Sequence, residues 1–154
     1  MALERASILD LCEVVERQRE FWGERDMAHL HHPMLVHDFG ETALVIRGPG
    51  GRVQAYLFGL LTPSGVGYVH LVGVQAAQRR RGLARILYEE FQAIVESRDG
   101  VALKAITRPV NEGSVAFHRA LGFSVREVPG YSGPGEMRLV MERRLADPAA
   151  GMSN

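Results

Sequence analysis

Val72-Gly73-Val74, a turn of four residues, then Arg79-Arg80-Arg81-Gly82-Leu83-Ala84 read as an apolar strand feeding straight into the first turn of a helix. Such a junction delivers several unpaired backbone N–H groups to one point, where the helix macrodipole also favours an anion. Gly82 and Ala84 keep the turn free of bulk, and Arg79, Arg80 and Arg81 add positive charge. The segment therefore predicts a phosphate cradle, although a solvated basic helix start fits the same spacing equally well. Gly73, inside an otherwise continuous apolar strand, points to a bulge or a close backbone approach.

Downstream, the apolar period becomes 3.6 from Gly82 to Ser97, with Leu83, Ile86, Leu87, Phe91 and Ile94 on one stripe and a stop at Asp99-Gly100. Val101 to Thr107 reads as a short strand and Glu112 to Leu121 as a short helix ended by Gly122. Ser124 to Val128 and Met137 to Arg143 read as two further strands around a Pro/Gly loop. Upstream, Thr42 to Ile46, Val53 to Thr62 and Gly67 to Val74 are consecutive antiparallel strands, divided by Gly48-Pro49-Gly50-Gly51 and Pro63-Ser64-Gly65. Before them, Ile8, Leu11, Cys12, Val15 and Trp22 recur at helical spacing behind a short strand at Leu3 to Arg5, and Glu24 to Phe39 holds a short second helix. A mixed α+β sheet follows, in a single domain over residues 1–145 with a flexible tail from Ala146 to Asn154.

At 154 residues, 46% hydrophobic and 23% charged, the chain has the profile of one self-sufficient core. Eighteen basic residues balance 18 acidic ones, so the strong positive field of a nucleic-acid binder is missing. No apolar run approaches the ~20 residues of a membrane span and no basic-then-apolar leader opens the chain, so a soluble, cytoplasmic protein is expected. Cys12 has no second cysteine to pair with and is expected to be buried on the first helix.

Arg79-x-x-Gly82-x-Ala84 after a strand ending at Val74 resembles the Arg/Gln-x-x-Gly-x-Gly/Ala signature of the GNAT superfamily of acetyl-CoA-dependent N-acetyltransferases. Asn111-Glu112-Gly113-Ser114-Val115-Ala116-Phe117-His118-Arg119-Ala120-Leu121-Gly122-Phe123 resembles the second motif of that superfamily, an Asn followed by a short helix ending in Leu-Gly-Phe. The resemblance implies a GNAT-like fold, a mostly antiparallel sheet of six or seven strands with a splayed parallel pair, flanked by about four helices. It implies acetyl-CoA as cosubstrate, an amine as acceptor and no metal. The pyrophosphate would lie on the amides of Arg79, Arg80, Arg81, Gly82, Leu83 and Ala84, and the pantetheine along Val72, Gly73 and Val74. Asn111, Ser114 and Phe117 would complete the cofactor site, and the Val74 amide would face the thioester carbonyl. Neither a membrane nor a nucleic acid is expected as partner, and a homodimer is left open.

The resemblance puts a base at His70 and an acid at His118, where a Tyr is usual; Tyr131 and Tyr68 are the other acid candidates. Alternation along the strand would set Tyr68, His70 and Val72 on one face, yet a histidine in an apolar strand serves as well as a hydrogen-bonded core residue. His118 could instead face solvent beside Arg119, and Tyr131 could be an ordinary loop residue. By family layout Trp22, His29 and His32 line the acceptor pocket, while the run His29, His31, His32 and His37 has no recognised metal-ligand spacing. A noncatalytic acyl-CoA sensor on the same fold is the alternative to an enzyme.

Overall fold

A computed structural model describes residues 2–146, so the expected tail lies, apart from Ala146, outside the described residues. β1 (Ala2–Arg5) leads to three helices, α1 (Ile8–Glu16), α2 (Gln18–Trp22) and α3 (Met34–His37). There follow β2 (Ala43–Arg47), β3 (Val53–Leu61), β4 (Val66–Val74), α4 (Leu83–Ser97), β5 (Ala102–Thr107), α5 (Glu112–Ala120), β6 (Ser124–Val128) and β7 (Arg138–Arg144). They form a seven-stranded sheet in the order β1-β2-β3-β4-β5-β7-β6, antiparallel except for β4 beside β5. One core lies between the sheet and α4, around Leu87, Phe91 and Val95. The other lies between the sheet and α1 to α3, around Val14, Phe21, Tyr56 and Phe58. No helix among the described residues is long and apolar enough to cross a membrane.

The first helix is two. Arg17, at φ −100° and ψ 21°, breaks it; its guanidinium pairs with Glu13 at 3.3 Å and Glu20 at 2.5 Å and donates to the Val53 carbonyl at 3.1 Å. That anchor re-aims α2 so that Phe21 enters the core and Trp22 reaches β3, giving five α-helices among the described residues where about four were expected. On α1 the inner face is Asp10, Leu11 and Val14, and Cys12, a helical step of about 100° beyond Leu11, turns outward. The expectation of a buried Cys12 is thus corrected: it is exposed.

Asp10 faces inward because it closes a capping box with Ser7 and takes Arg47 in a two-pronged pair at 2.7 and 2.8 Å. Burial pushes its carboxyl up, but the bonds from Arg47 and Ser7 outweigh burial and hold it below the usual range. A depressed carboxylate contributes stability in full above its unfolded pKa of about 3.9 and loses it as pH falls through the lower folded value. Asp10→Asn is expected to cost about 1.5–3 kcal/mol at pH 7, with the gap to wild type closing below pH 4 in urea titrations. A gap of equal size at pH 3 would show that the charge is not the cause.

Two irregularities of β4 shape the molecule. Opposite β3, Phe58 faces Leu71 and Gly59 faces Val69, which leaves His70 as the extra residue of a bulge. The bulge reverses the alternation: Val69 packs on the α4 side, Leu71 on the α1–α3 side, and Val72 and Val74 on the α4 side again. Val72 therefore lies on the face opposite His70, correcting the single face expected for Tyr68, His70 and Val72. Toward β5, pairing runs only over Val66–Ala102, Gly67–Leu103 and Tyr68–Lys104. Beyond Tyr68 the strands part, β5 following β7 to Thr107 while β4 continues to Val74 with one edge free. The expected splayed pair is present.

Candidate active site

The gap between the two strands ends at the start of α4. Arg80 and Gly82 both adopt left-handed backbone, φ 67° and 76°, and a Cβ built on Gly82 meets nothing within 4 Å. No side chain caps α4, and among the described residues no acceptor takes the amides of Arg80, Arg81, Gly82, Leu83, Ala84 or Arg85. Six unpaired donors at an open helix start suit an anion of phosphate size. Leu83 can take part only through its amide, its side chain being buried in the core. Arg79, Arg80 and Arg81 are all exposed, and Arg79 donates to the Phe21 carbonyl at 2.9 Å, tying the loop to α2. Arg81 and Leu83 border a shallow pocket of about 230 Å³ with Gln78, whose Oε1 is buried without a partner.

The free edge of β4 presents backbone to the gap. The Gln75 amide donates to Gln54 on β3 at 2.8 Å, so by alternation the Gly73 amide points the same way and those of Val72 and Val74 point into the gap. Gly73 itself is packed from the other side: a Cβ there would lie 2.9 Å from the Tyr56 ring and 3.2 Å from Trp22. Those rings belong to a buried relay. Trp22 Nε1 donates to Tyr56 Oη at 2.7 Å, Tyr56 pairs with His31 Nε2 at 2.9 Å, and His31 Nδ1 meets the Met27 carbonyl at 2.7 Å. Because a carbonyl only accepts, His31 carries its proton on Nδ1 and receives the Tyr56 hydroxyl on Nε2. No signal along the chain joins Tyr56 to His31. His29 and His32 are exposed, and no group of three or more His, Cys, Asp or Glu among the described residues could hold a metal ion.

On the same face stands His70, half-buried, with Nε2 2.8 Å from the Leu30 carbonyl. That bond puts the proton of a neutral ring on Nε2 and leaves Nδ1 as its proton-accepting atom. Tyr68 is two positions back. Burial, then the neighbouring Tyr131, raises its phenol above the ordinary range. Across the last pairing of the parallel strands, Lys104 sets its Nζ 5.0 Å from the centre of the Tyr131 ring. Lys104 shares this face with Tyr68, because Leu103 and Ala105 on either side of it enter the α4 core.

Asn111 caps α5 by accepting the Ser114 amide at 3.2 Å, and Phe117 packs edge-on to Tyr88 at 5.5 Å. His118 is 3% exposed, which corrects the solvent-facing alternative beside Arg119. Its Nδ1 donates to the Ser114 carbonyl at 2.7 Å and its Nε2 takes the Tyr88 hydroxyl at 2.5 Å, with the Ser114 hydroxyl 3.4 Å away. Burial holds the ring below the usual histidine range, the Ser114 bond offsetting only part. Both nitrogens are hydrogen-bonded within the protein and burial favours the neutral form, which builds the imidazole into the core.

This carries a pH signature. His118 and, by burial against its Met27 bond, His31 titrate below their unfolded value of about 6.5. The stability that depends on their neutral forms is complete above that value and drains as pH falls through the lowered ones. The melting temperature is expected to drop between pH 7.5 and 5.5. His118→Phe, which strands the Tyr88 hydroxyl, should cost about 1–3 kcal/mol at pH 7.5 and soften that drop. An equally steep drop in the variant would mean that His118 does not take part in it.

The family model of the GNAT acetyltransferases matches residues 8–123 of the chain. Among solved structures, a GNAT-family protein described as a putative acetyltransferase of Desulfovibrio desulfuricans is similar at a TM-score of 0.79 and 19% identity, over 94% of this chain and 99% of that one. Naa20 of Chaetomium thermophilum, in complex with a bisubstrate analogue, gives 0.77 and 18%, over 97% and 90%. A phosphinothricin acetyltransferase of Sinorhizobium meliloti, in complex with acetyl-CoA, gives 0.73 and 18%, over 97% and 90%. No curated protein matches in sequence. With a family match over most of its length, and a splayed sheet that ends in an uncapped helix start, the chain belongs to the GNAT family of acetyltransferases.

Proposed function

We propose that the protein transfers the acetyl group of acetyl-CoA to a primary amine by direct attack on the thioester, with no covalent enzyme intermediate. The observation that carries this is the set of six unpaired amides from Arg80 to Arg85 at the mouth of the β4–β5 gap. They fit a pyrophosphate, and the free edge of Val72 to Val74 fits an extended amide-bearing arm laid along it. Asn111, Ser114 and Phe117, on the helix that follows β5, would complete the cofactor site. Bound there, acetyl-CoA would supply an activated acyl carbonyl and a thiol leaving group. The Val74 amide, directed into the gap, would donate to the carbonyl oxygen.

An amine of pKa ~10.4 must lose a proton before it attacks. We assign this to Nδ1 of His70, whose other nitrogen is held by the Leu30 carbonyl. The proton for the departing sulfur is assigned to the phenols of Tyr131 and Tyr68, the latter kept protonated by burial. His118 serves the site by fixing Tyr88 under α5.

Released thiol in a panel of primary amines with acetyl-CoA tests the reading. Turnover with at least one amine, matched mole for mole by N-acetylated product, is expected. Tight binding of acetyl-CoA with no thiol released by any amine would make the protein a sensor.

A further inference from the structure

The acceptor side of the splay, the face covered by α1 to α3, carries a cation with no carboxylate to meet it. Lys104 is the one lysine among 18 basic residues. It sits half-buried where the parallel strands begin to part, directly across from Tyr68. Leu103 and Ala105 are in the opposite core, so its side chain stands on the face that also bears Tyr68 and His70. Its ammonium lies against the Tyr131 ring at 5.0 Å, and no carboxylate among the described residues comes within 4 Å of it.

The nearby acids are already engaged. Glu142, the cross-strand neighbour of Lys104 on β7, pairs with Arg126 at 3.2 Å. Glu136, in the loop that carries Tyr131, pairs with Arg138 at 3.2 Å. The groups this face leaves for a ligand are therefore an ammonium and two phenol hydroxyls, with the His70 base about 6 Å along the strand from Tyr68. A half-buried cation without a partner costs solvation that a ligand anion restores. A second ammonium on the acceptor, as in a polyamine, would meet like charge here.

We propose that the acceptor amine bears a carboxylate, as an amino acid or an acidic peptide does, and that Lys104 binds it, which makes Lys104 a determinant of acceptor specificity. This rests on the acetyl-transfer reading above and narrows it to one substrate class. Lys104 acts in binding: its loss should raise the KM of a carboxylate-bearing acceptor far more than that of a neutral amine.

Matched acceptors provide the test, glutamate against glutamine and glutamate against its α-amide. At least one pair should favour the carboxylate roughly tenfold or more in kcat/KM, as a charge-assisted contact in a half-buried site would give. Lys104→Met should bring that preference below threefold, Lys104→Arg should keep part of it, and Lys104→Glu should reverse it toward diamines. A wild-type preference for the amides or for diamines would overturn the proposal. So would a carboxylate preference untouched in Lys104→Met. Calorimetry of N-acetylglutamate against N-acetylglutamine and against its own α-amide, with coenzyme A present, reads the same preference without turnover. No thiol release with any amine defeats the transferase reading alone, whereas equal binding of all three products, in wild type and Lys104→Met alike, defeats this one.

Discussion

Gly82→Trp should abolish the protection that acetyl-CoA gives against heat. A ligand at a hundred times its Kd stabilises a protein by about 2.7 kcal/mol, which for a chain of this length raises the melting temperature by roughly 5–11 °C. Gly82 stands at φ 76° with open space where a Cβ would project, in the middle of the six free amides. An indole there would fill the volume an anion needs to approach the backbone. Any side chain at that φ also costs about 1–2 kcal/mol, so the variant should melt a few degrees lower on its own. Gly82→Ala separates the two effects, since it shares the strain but adds one methyl, and it should keep most of the ligand shift. Were Gly82→Trp to fold and show the full shift, the phosphates would have to bind elsewhere. Arg79→Ala should have the smaller effect on binding, because the amides remain and the Arg79 guanidinium is spent on the Phe21 carbonyl.

The second large effect is expected in turnover. His70→Gln retains a donor that can reach the Leu30 carbonyl but has no group that takes a proton from an amine. The kcat should fall about 10² to 10⁴-fold, the KM for acetyl-CoA should be unchanged and the melting temperature should stay near that of wild type. Acceptors whose amines are already neutral at the assay pH should lose less than strongly basic ones. A loss below threefold across acceptors would take the imidazole out of proton transfer and leave that work to water.

What could be read in the chain was what depends on near neighbours. The strands of the sheet and the helices after β4 and β5 follow from period, glycine stops and turn residues, and their observed ends differ by a residue or so. The uncapped helix start was legible because it is one contiguous segment, set by Gly82 and its neighbours. Apart from Cys12, turned outward by one helical step, the misreadings turn on contacts between distant positions. Arg17 breaks the first helix through Val53, 36 residues away. The bulge at His70 exists only in the register of β4 against β3, so simple alternation put Val72 on the wrong face. His118 looked available because its partner Tyr88, 30 residues earlier, reads as one more apolar residue of α4. Lys104 gave no signal within its own strand; its setting comes from Tyr68 and Tyr131 on other elements.

A crystal structure with coenzyme A bound will decide whether the parting of β4 from β5 is the donor site. The pyrophosphate is expected within hydrogen-bond distance of the amides between Arg80 and Arg85, the pantetheine amides paired with the free edge of Val72 to Val74, and the sulfur on the side of the gap that His70 faces. Coenzyme A bound away from the gap, or in the gap with its phosphates off those amides, would contradict it.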